Sequence, residues 1–320
     1  MKNLISSSTV RLLAAVAVSA LALNAHAATV VWGGSSGEYT TGTNWVGNSV
    51  PNTGAGDTAV INAGAVNYTA GPDLAVNNGG VLQINGGSWT QSGGISWLQL
   101  GGGTLNVAGG TFNQGTAGNI VMNGVSSTIN VSSGVANFGS LERHPGSVLN
   151  ITGGTANFTG NIVNDTTNLG SISVAGGALV TTGEFKPLNT FTLTTGNLTA
   201  NLISFSDGPG TFNLSGGSVS VNGAAAYNGI YGAGGSKTMN FTTGSTASLF
   251  FSSITLSAFN ATNFLTNGTI QYNGAVDAVQ FNAVSSGGGV LVTAVPEPST
   301  YALLLMGLGT VLIYRRRVQS

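Results

Sequence analysis

Leu105-Asn-Val-Ala-Gly-Gly-Thr-Phe-Asn113 and Leu149-Asn-Ile-Thr-Gly-Gly-Thr-Ala-Asn157 are two copies of one unit. Each copy runs apolar, polar, apolar, turns on a Gly pair, and resumes with a polar and then an apolar residue. Strict alternation is the pattern of a strand that buries one face. The second Gly of the pair supplies the positive φ that a sharp corner needs.

Working outward, the turn pairs begin at Ala63, Gly86, Gly109, Ser133, Gly153, Gly176, Thr195, Gly216 and Thr243, at intervals of 19 to 27 residues. Four residues before each turn stand Ala59, Leu82, Leu105, Ile129, Leu149, Ile172, Phe191, Phe212 and Met239. Two before stand Ile61, Ile84, Val107, Val131, Ile151, Val174, Leu193, Leu214 and Phe241. A third apolar column follows the turn, from Val66, Trp89 and Phe112 onward, and breaks at Thr246. Between the first two columns lies a polar one: Gln83, Asn106, Asn130, Asn150, Ser173, Thr192, Asn213 and Asn240.

A period near 22 with about three short strands per unit predicts an all-β chain, a right-handed parallel β-helix (solenoid) of about nine or ten coils. Coils stack at about 4.8 Å, so the polar column becomes an outward ladder of amides and hydroxyls. A β-sandwich would need alternating long and short connections, and the near-constant spacing argues against it.

The flanks divide the chain further. Lys2 and Arg11 precede or open the twelve-residue apolar run Leu12–Leu23, and Ala25-His26-Ala27 has the A-x-A form of a cleavage site. Residues 1–27 therefore read as an export signal and its helix, with the mature chain starting at Ala28. Residues 28–57, turn-rich and carrying Trp32 and Trp45, are expected to cap the open end of the solenoid; a sugar-stacking platform built from the two rings is the competing reading. Residues 58–294 are the repeat body, and residues 295–320 a separate tail.

Composition fits an exported rod. The chain has 51 Gly, no Cys and 5% charged residues, yet 42% are hydrophobic, more than a solvated disordered chain shows. Without Cys an exported chain uses no disulfides. Residues 28–294 hold three bases (Arg143, Lys186, Lys237) against eight acids, a net charge of −5. The lack of a basic patch argues against nucleic acid as a partner.

Four of those acids, Glu142, Asp165, Glu184 and Asp207, recur at near the repeat interval and are expected to stack on one face about 5 Å apart. Paired carboxylates at that spacing suit glycoside hydrolysis, or Ca²⁺ held by several oxygens. The other reading is a solvated edge whose acids are offset by Arg143 and Lys186. No aromatic or basic cluster accompanies the four, and His144 is the only His of the body. The expectation is accordingly no catalytic residue and no cofactor, with the four acids as candidates for a Ca²⁺ or enzyme site.

The tail has three parts in order: Pro296-Glu297-Pro298 followed by Ser299-Thr300, the apolar run Tyr301–Tyr314, and Arg315-Arg316-Arg317. Fourteen apolar residues are few for a membrane span, which takes about twenty, but the Arg triplet suits a cytoplasmic end. The expected transmembrane segment is 300–314. These parts closely resemble the PEP-CTERM sorting signal of Gram-negative bacteria. The resemblance implies export through the inner membrane, a single-pass membrane intermediate, and processing near Pro296-Glu297-Pro298 by an exosortase. It also implies a destination at the outer membrane, the cell surface or the extracellular matrix, in association with exopolysaccharide or biofilm. The repeat body more loosely resembles autotransporter passenger repeats. The expected function is a non-enzymatic structural or interaction protein; the alternative is a polysaccharide lyase or glycosidase acting from the acidic face.

Overall fold

A computed structural model describes residues 27–295, apart from 70–72, 93–96, 116–117, 165–169, 188, 207–209, 224–226 and 233–236. The signal helix and the transmembrane helix expected at the two ends lie outside the described residues.

The repeat columns are the core of a parallel β-solenoid. Leu105 sits between Leu82 and Ile129, and Leu149 between Ile129 and Ile172, each in register with the equivalent residue one coil away. All nine residues of the first apolar column and all nine of the second are buried. The alternation thus translates directly into an inward apolar face and an outward polar one.

Each coil has three faces. The first carries the strand before the turn pair and the second the strand after it. In four coils the two are one continuous strand around the corner: Thr104–Gln114, Thr128–Phe138, Ser171–Thr181 and Asn189–Ala200. These two faces form one bent 19-stranded sheet, and the third face is a separate 8-stranded sheet running from Leu74–Asn77 to Ile230–Tyr231. Eight strands on the third face span seven turns, fewer than the nine or ten coils expected. The difference lies at the ends. Thr29–Val31 and Ser36–Glu38 extend only the first two faces, and after Ser248–Phe251 the chain enters the short helix Leu256–Ala261 in place of a third-face strand.

The corner requires glycine for two reasons, both visible at Gly110. Its φ is 66°, in the left-handed region. A Cβ there would also drive into the Gly87 carbonyl oxygen of the coil before.

Packing behind the second face trades volume between neighbouring columns. Where the first of these columns holds the large rings Trp89 and Phe112, the next holds Gln91 and Gln114; where the first holds Ala136 and Ala156, the next holds Phe138 and Phe158. The rings form one continuous run, with centroids 6.3 Å apart for Trp89–Phe112, 5.4 Å for Phe112–Phe138 and 4.8 Å for Phe138–Phe158. The buried Gln side chains donate to backbone carbonyls, Gln91 Nε2 to Trp97 O at 3.3 Å and Gln114 Nε2 to Asn119 O at 2.9 Å, which offsets part of their desolvation while each Oε1 stays without a partner.

At the start of the stack, Trp32 and Trp45 are 5% and 2% exposed and meet edge to face at 5.1 Å. Trp45 Nε1 donates to Tyr39 O at 2.7 Å, and Tyr39 packs on both Trp45 and Trp89. Both indoles are plugs in the core, so neither offers a ring face for sugar stacking. At the far end the hairpin Phe281–Ser286 and Gly289–Ala294 lies antiparallel on Ser248–Phe251. The third column does not break at Thr246: the structure sets Leu249 opposite Val219, and Thr246 is exposed in a lengthened turn.

Candidate functional site

Two surfaces of the body carry its polar chemistry. On the first face the outward column is a hydrogen-bonded amide ladder. Asn106 Nδ2 donates to Gln83 Oε1 at 2.8 Å, Asn130 to Asn106 at 2.8 Å, and Asn150 to Asn130 at 3.0 Å. A parallel ladder, not singled out from the sequence, runs up the second face: Asn137 Nδ2 donates to Asn113 at 2.7 Å and Asn157 to Asn137 at 2.8 Å. Its signal was present as the second Asn of each repeat unit, Asn113 and Asn157 in the two defining copies.

Charge is segregated from these ladders. From Thr58–Ile61 to Ser218–Val221, no strand of the first two faces contains an Asp, Glu, Lys or Arg. Glu142, Arg143 and Glu184 lie instead on the third face, in Ser140–Arg143 and Glu184–Phe185, with Lys186 directly after.

Glu142 and Glu184 do not share a column of the third face. Glu142 is in register with Val163, and Glu184 with Leu202. Asp165 and Asp207, the partners anticipated for them, lie outside the described residues. The reason is loop length. Leu141, Ile162, Phe185 and Ile203 share one inward column, but the number of residues from that column to the next first-face turn changes from coil to coil. A fixed offset from the turn therefore lands on different positions of the third face.

Glu142 and Glu184 each have a base two residues on, and therefore on the same side of the strand. Glu142 Oε1 is 3.1 Å from His144 Nε2, and Glu184 Oε2 is 3.7 Å from Lys186 Nζ. Among the described residues, no three His, Cys, Asp or Glu side chains converge. Arg143 points the other way. It is fully buried, one coil above Met122, and its Nη2 donates to Lys186 O at 3.4 Å. Burial lowers its guanidinium pKa to about 9. A buried cation is not a surface counter-charge; the charged partner of Glu184 is Lys186, and His144 is a hydrogen-bond partner of Glu142.

The expected tail residues Pro296, Glu297, Pro298, Arg315, Arg316 and Arg317 lie outside the described residues, as does Ala25; Ala27 is the first described residue and is exposed. The described chain runs up to the tail without a linker. Gly289–Ala294 is the last strand, and Val295 N donates to Gln280 O at 2.7 Å. No helix among the described residues is long and apolar enough to cross a membrane.

The PEP-CTERM protein-sorting motif model matches residues 294–318. Neither a curated protein nor a solved structure matches the chain. The matched segment begins on Ala294, the last residue of the last strand, so the solenoid and the motif share a boundary residue. The chain therefore carries a PEP-CTERM sorting motif, the mark of an exported protein sorted by an exosortase, attached directly to an all-β solenoid.

Proposed function

We propose that this chain is a non-enzymatic structural protein of the cell surface or extracellular matrix, delivered by its tail and associated with exopolysaccharide. The observation that carries the reading is the direct joint between a rigid solenoid and the sorting motif at Ala294. Nothing in the described body intervenes between the two, which suits a rod that is exported folded-side out and released near Pro296-Glu297-Pro298. The uncharged amide and hydroxyl faces supply a hydrogen-bonding surface of the kind a hydrated polymer meets in a matrix. The separation of Glu142 and Glu184 into different columns supports the absence of an acid–base pair.

The test is the combined replacement Glu142→Gln, Asp165→Asn and Glu184→Gln, with binding to and turnover of the host's own exopolysaccharide measured side by side. The expected result is no turnover by either protein and unchanged binding. Turnover by the unsubstituted protein that the triple change abolishes would overturn the reading in favour of a glycosidase or lyase.

A further inference from the structure

The first face has three properties that bear on what meets it. It is long, it carries no charge in its first eight strands, and its hydrogen-bonding groups repeat at one interval. Nine strands, from Thr58–Ile61 to Lys237–Phe241, stack in register along it. At about 4.8 Å per coil and roughly 13–16 Å across each strand, the face covers roughly 600 Å². Two copies meeting through it would bury about 1,200 Å² in total, the lower end of a standard specific interface.

The chemistry of the face is self-complementary. Asn130 donates one N–H to Asn106 and accepts one bond from Asn150. A side-chain amide has a second N–H and a second lone pair. Asn106 and Asn130, bonded on both sides, therefore each keep one donor and one acceptor in successive coils. Beside the ladder, two residues earlier on each strand, Thr104 and Thr128 add hydroxyls and Val148 an apolar contact. A second copy presents the same groups at the same repeat. Its ladder matches this one wherever the coils align, including across a two-fold axis.

Charge excludes the third face and leaves the first two, of which the first carries the longer ladder. The body's net charge of −5 makes most approaches between copies repulsive. Glu142 and Glu184 sit on the third face, whereas the first face carries no charge before Lys237 in its ninth strand. We infer that the first face is a lateral contact between copies of this chain, packing rods side by side. This goes beyond the sorting reading, and its failure would leave that reading untouched.

The chain has no Cys, so a single introduced thiol reports contact between copies cleanly. The full-length chain, exported by its host, would carry either Thr128→Cys on the first face or Val163→Cys outward on the third. Under mild oxidation Thr128→Cys is expected to give about tenfold more disulfide-linked dimer than Val163→Cys. Adding Thr104→Lys, which places like charges across the contact, should abolish that excess; a melting curve confirms that the doubly changed chain is folded, and Asn150→Lys in place of Thr104→Lys repeats the test where it is not. The purified, polysaccharide-free protein should give the same result. Equal cross-linking at both positions would overturn the inference. So would a first-face cross-link that appears only with exopolysaccharide present, which would give the face to a glycan.

Discussion

The backbone nitrogen of Ala28 lies 2.8 Å from Asp57 Oδ1. The other carboxylate oxygen of Asp57 accepts from Asn52 N at 2.8 Å, and Ala28 O accepts from Thr58 N at 2.7 Å. Asp57 thus ties the first strand and the loop before the first coil to one point. Cleavage after Ala27 would turn the Ala28 amide into an ammonium facing that carboxylate, replacing a neutral donor with a charged one. Asp57→Asn should therefore cost the mature chain about 1–2 kcal/mol of local stability. It should cost a chain that keeps its signal less. Hydrogen exchange at Val30 and Val31 checks this: faster exchange in the variant is expected, with a larger effect in the mature form.

The two requirements at the turn glycines separate by substitution. Gly110 and Gly244 have nearly the same φ, 66° and 68°, but a Cβ at Gly110 meets the carbonyl of the coil before while one at Gly244 meets nothing. Gly244→Ala should cost about 1–2 kcal/mol, the strain of the left-handed conformation alone. Gly110→Ala should cost at least about 2 kcal/mol more, because stacked backbone must shift. Urea unfolding of the two variants gives the comparison, and equal losses would contradict the stacked corner.

Asn130 sits in the middle of its ladder, with one bond to each neighbour. Asn130→Ala removes both and leaves Asn106 and Asn150 half-buried with one partner fewer. The expected loss is about 1–3 kcal/mol. Asn157, whose ladder bond runs to Asn137 alone, should lose about half as much on the same change. Denaturant midpoints report the ratio.

Tyr39 is buried in the cap, and burial raises its phenol from the ordinary 10.0 to about 12. A phenol that holds its proton more tightly when folded gives stability that is present in full below pH 10. That stability is lost as pH rises from about 10 to about 12, and a shift of this size corresponds to about 2–3 kcal/mol. Tyr39→Phe removes this alkaline loss. It also removes the bond from Tyr39 Oη to Pro51 O at 3.0 Å, so the variant should be about 1 kcal/mol less stable at pH 7. The two proteins should converge as pH rises, measured by unfolding at pH 7 and pH 11.

The solenoid was legible because its signal is doubly redundant. Leu105 and Val107 bury, Asn106 does not, and Gly110 fixes where the corner falls. The same few residues repeat in every coil, so one misread copy does not displace the rest. The columns failed where the chain changes length between faces. Extra residues before Ser248–Phe251 carry Thr246 out of the position that Leu249 fills. Loops of unequal length after the third face separate Glu142 and Glu184 into different columns. The caps were the least legible, because they are single solutions with no repeat to average. The burial of Trp32 against Trp45, the tie from Ala28 to Asp57 and the antiparallel hairpin Phe281–Ala294 each depend on contacts between segments that share no pattern. Arg143 was read as a surface counter-charge because its inward direction is set by a third-face register that the turn spacing does not reveal.

At Ala294 the folded rod passes into the sorting motif. Mass spectrometry of the mature chain, combined with cell fractionation, tests that sorting most directly. The expected chain begins at Ala28, ends at or near Pro296-Glu297-Pro298, and is recovered outside the inner membrane. A chain that still carries Arg315-Arg316-Arg317 and stays in the inner membrane would contradict it.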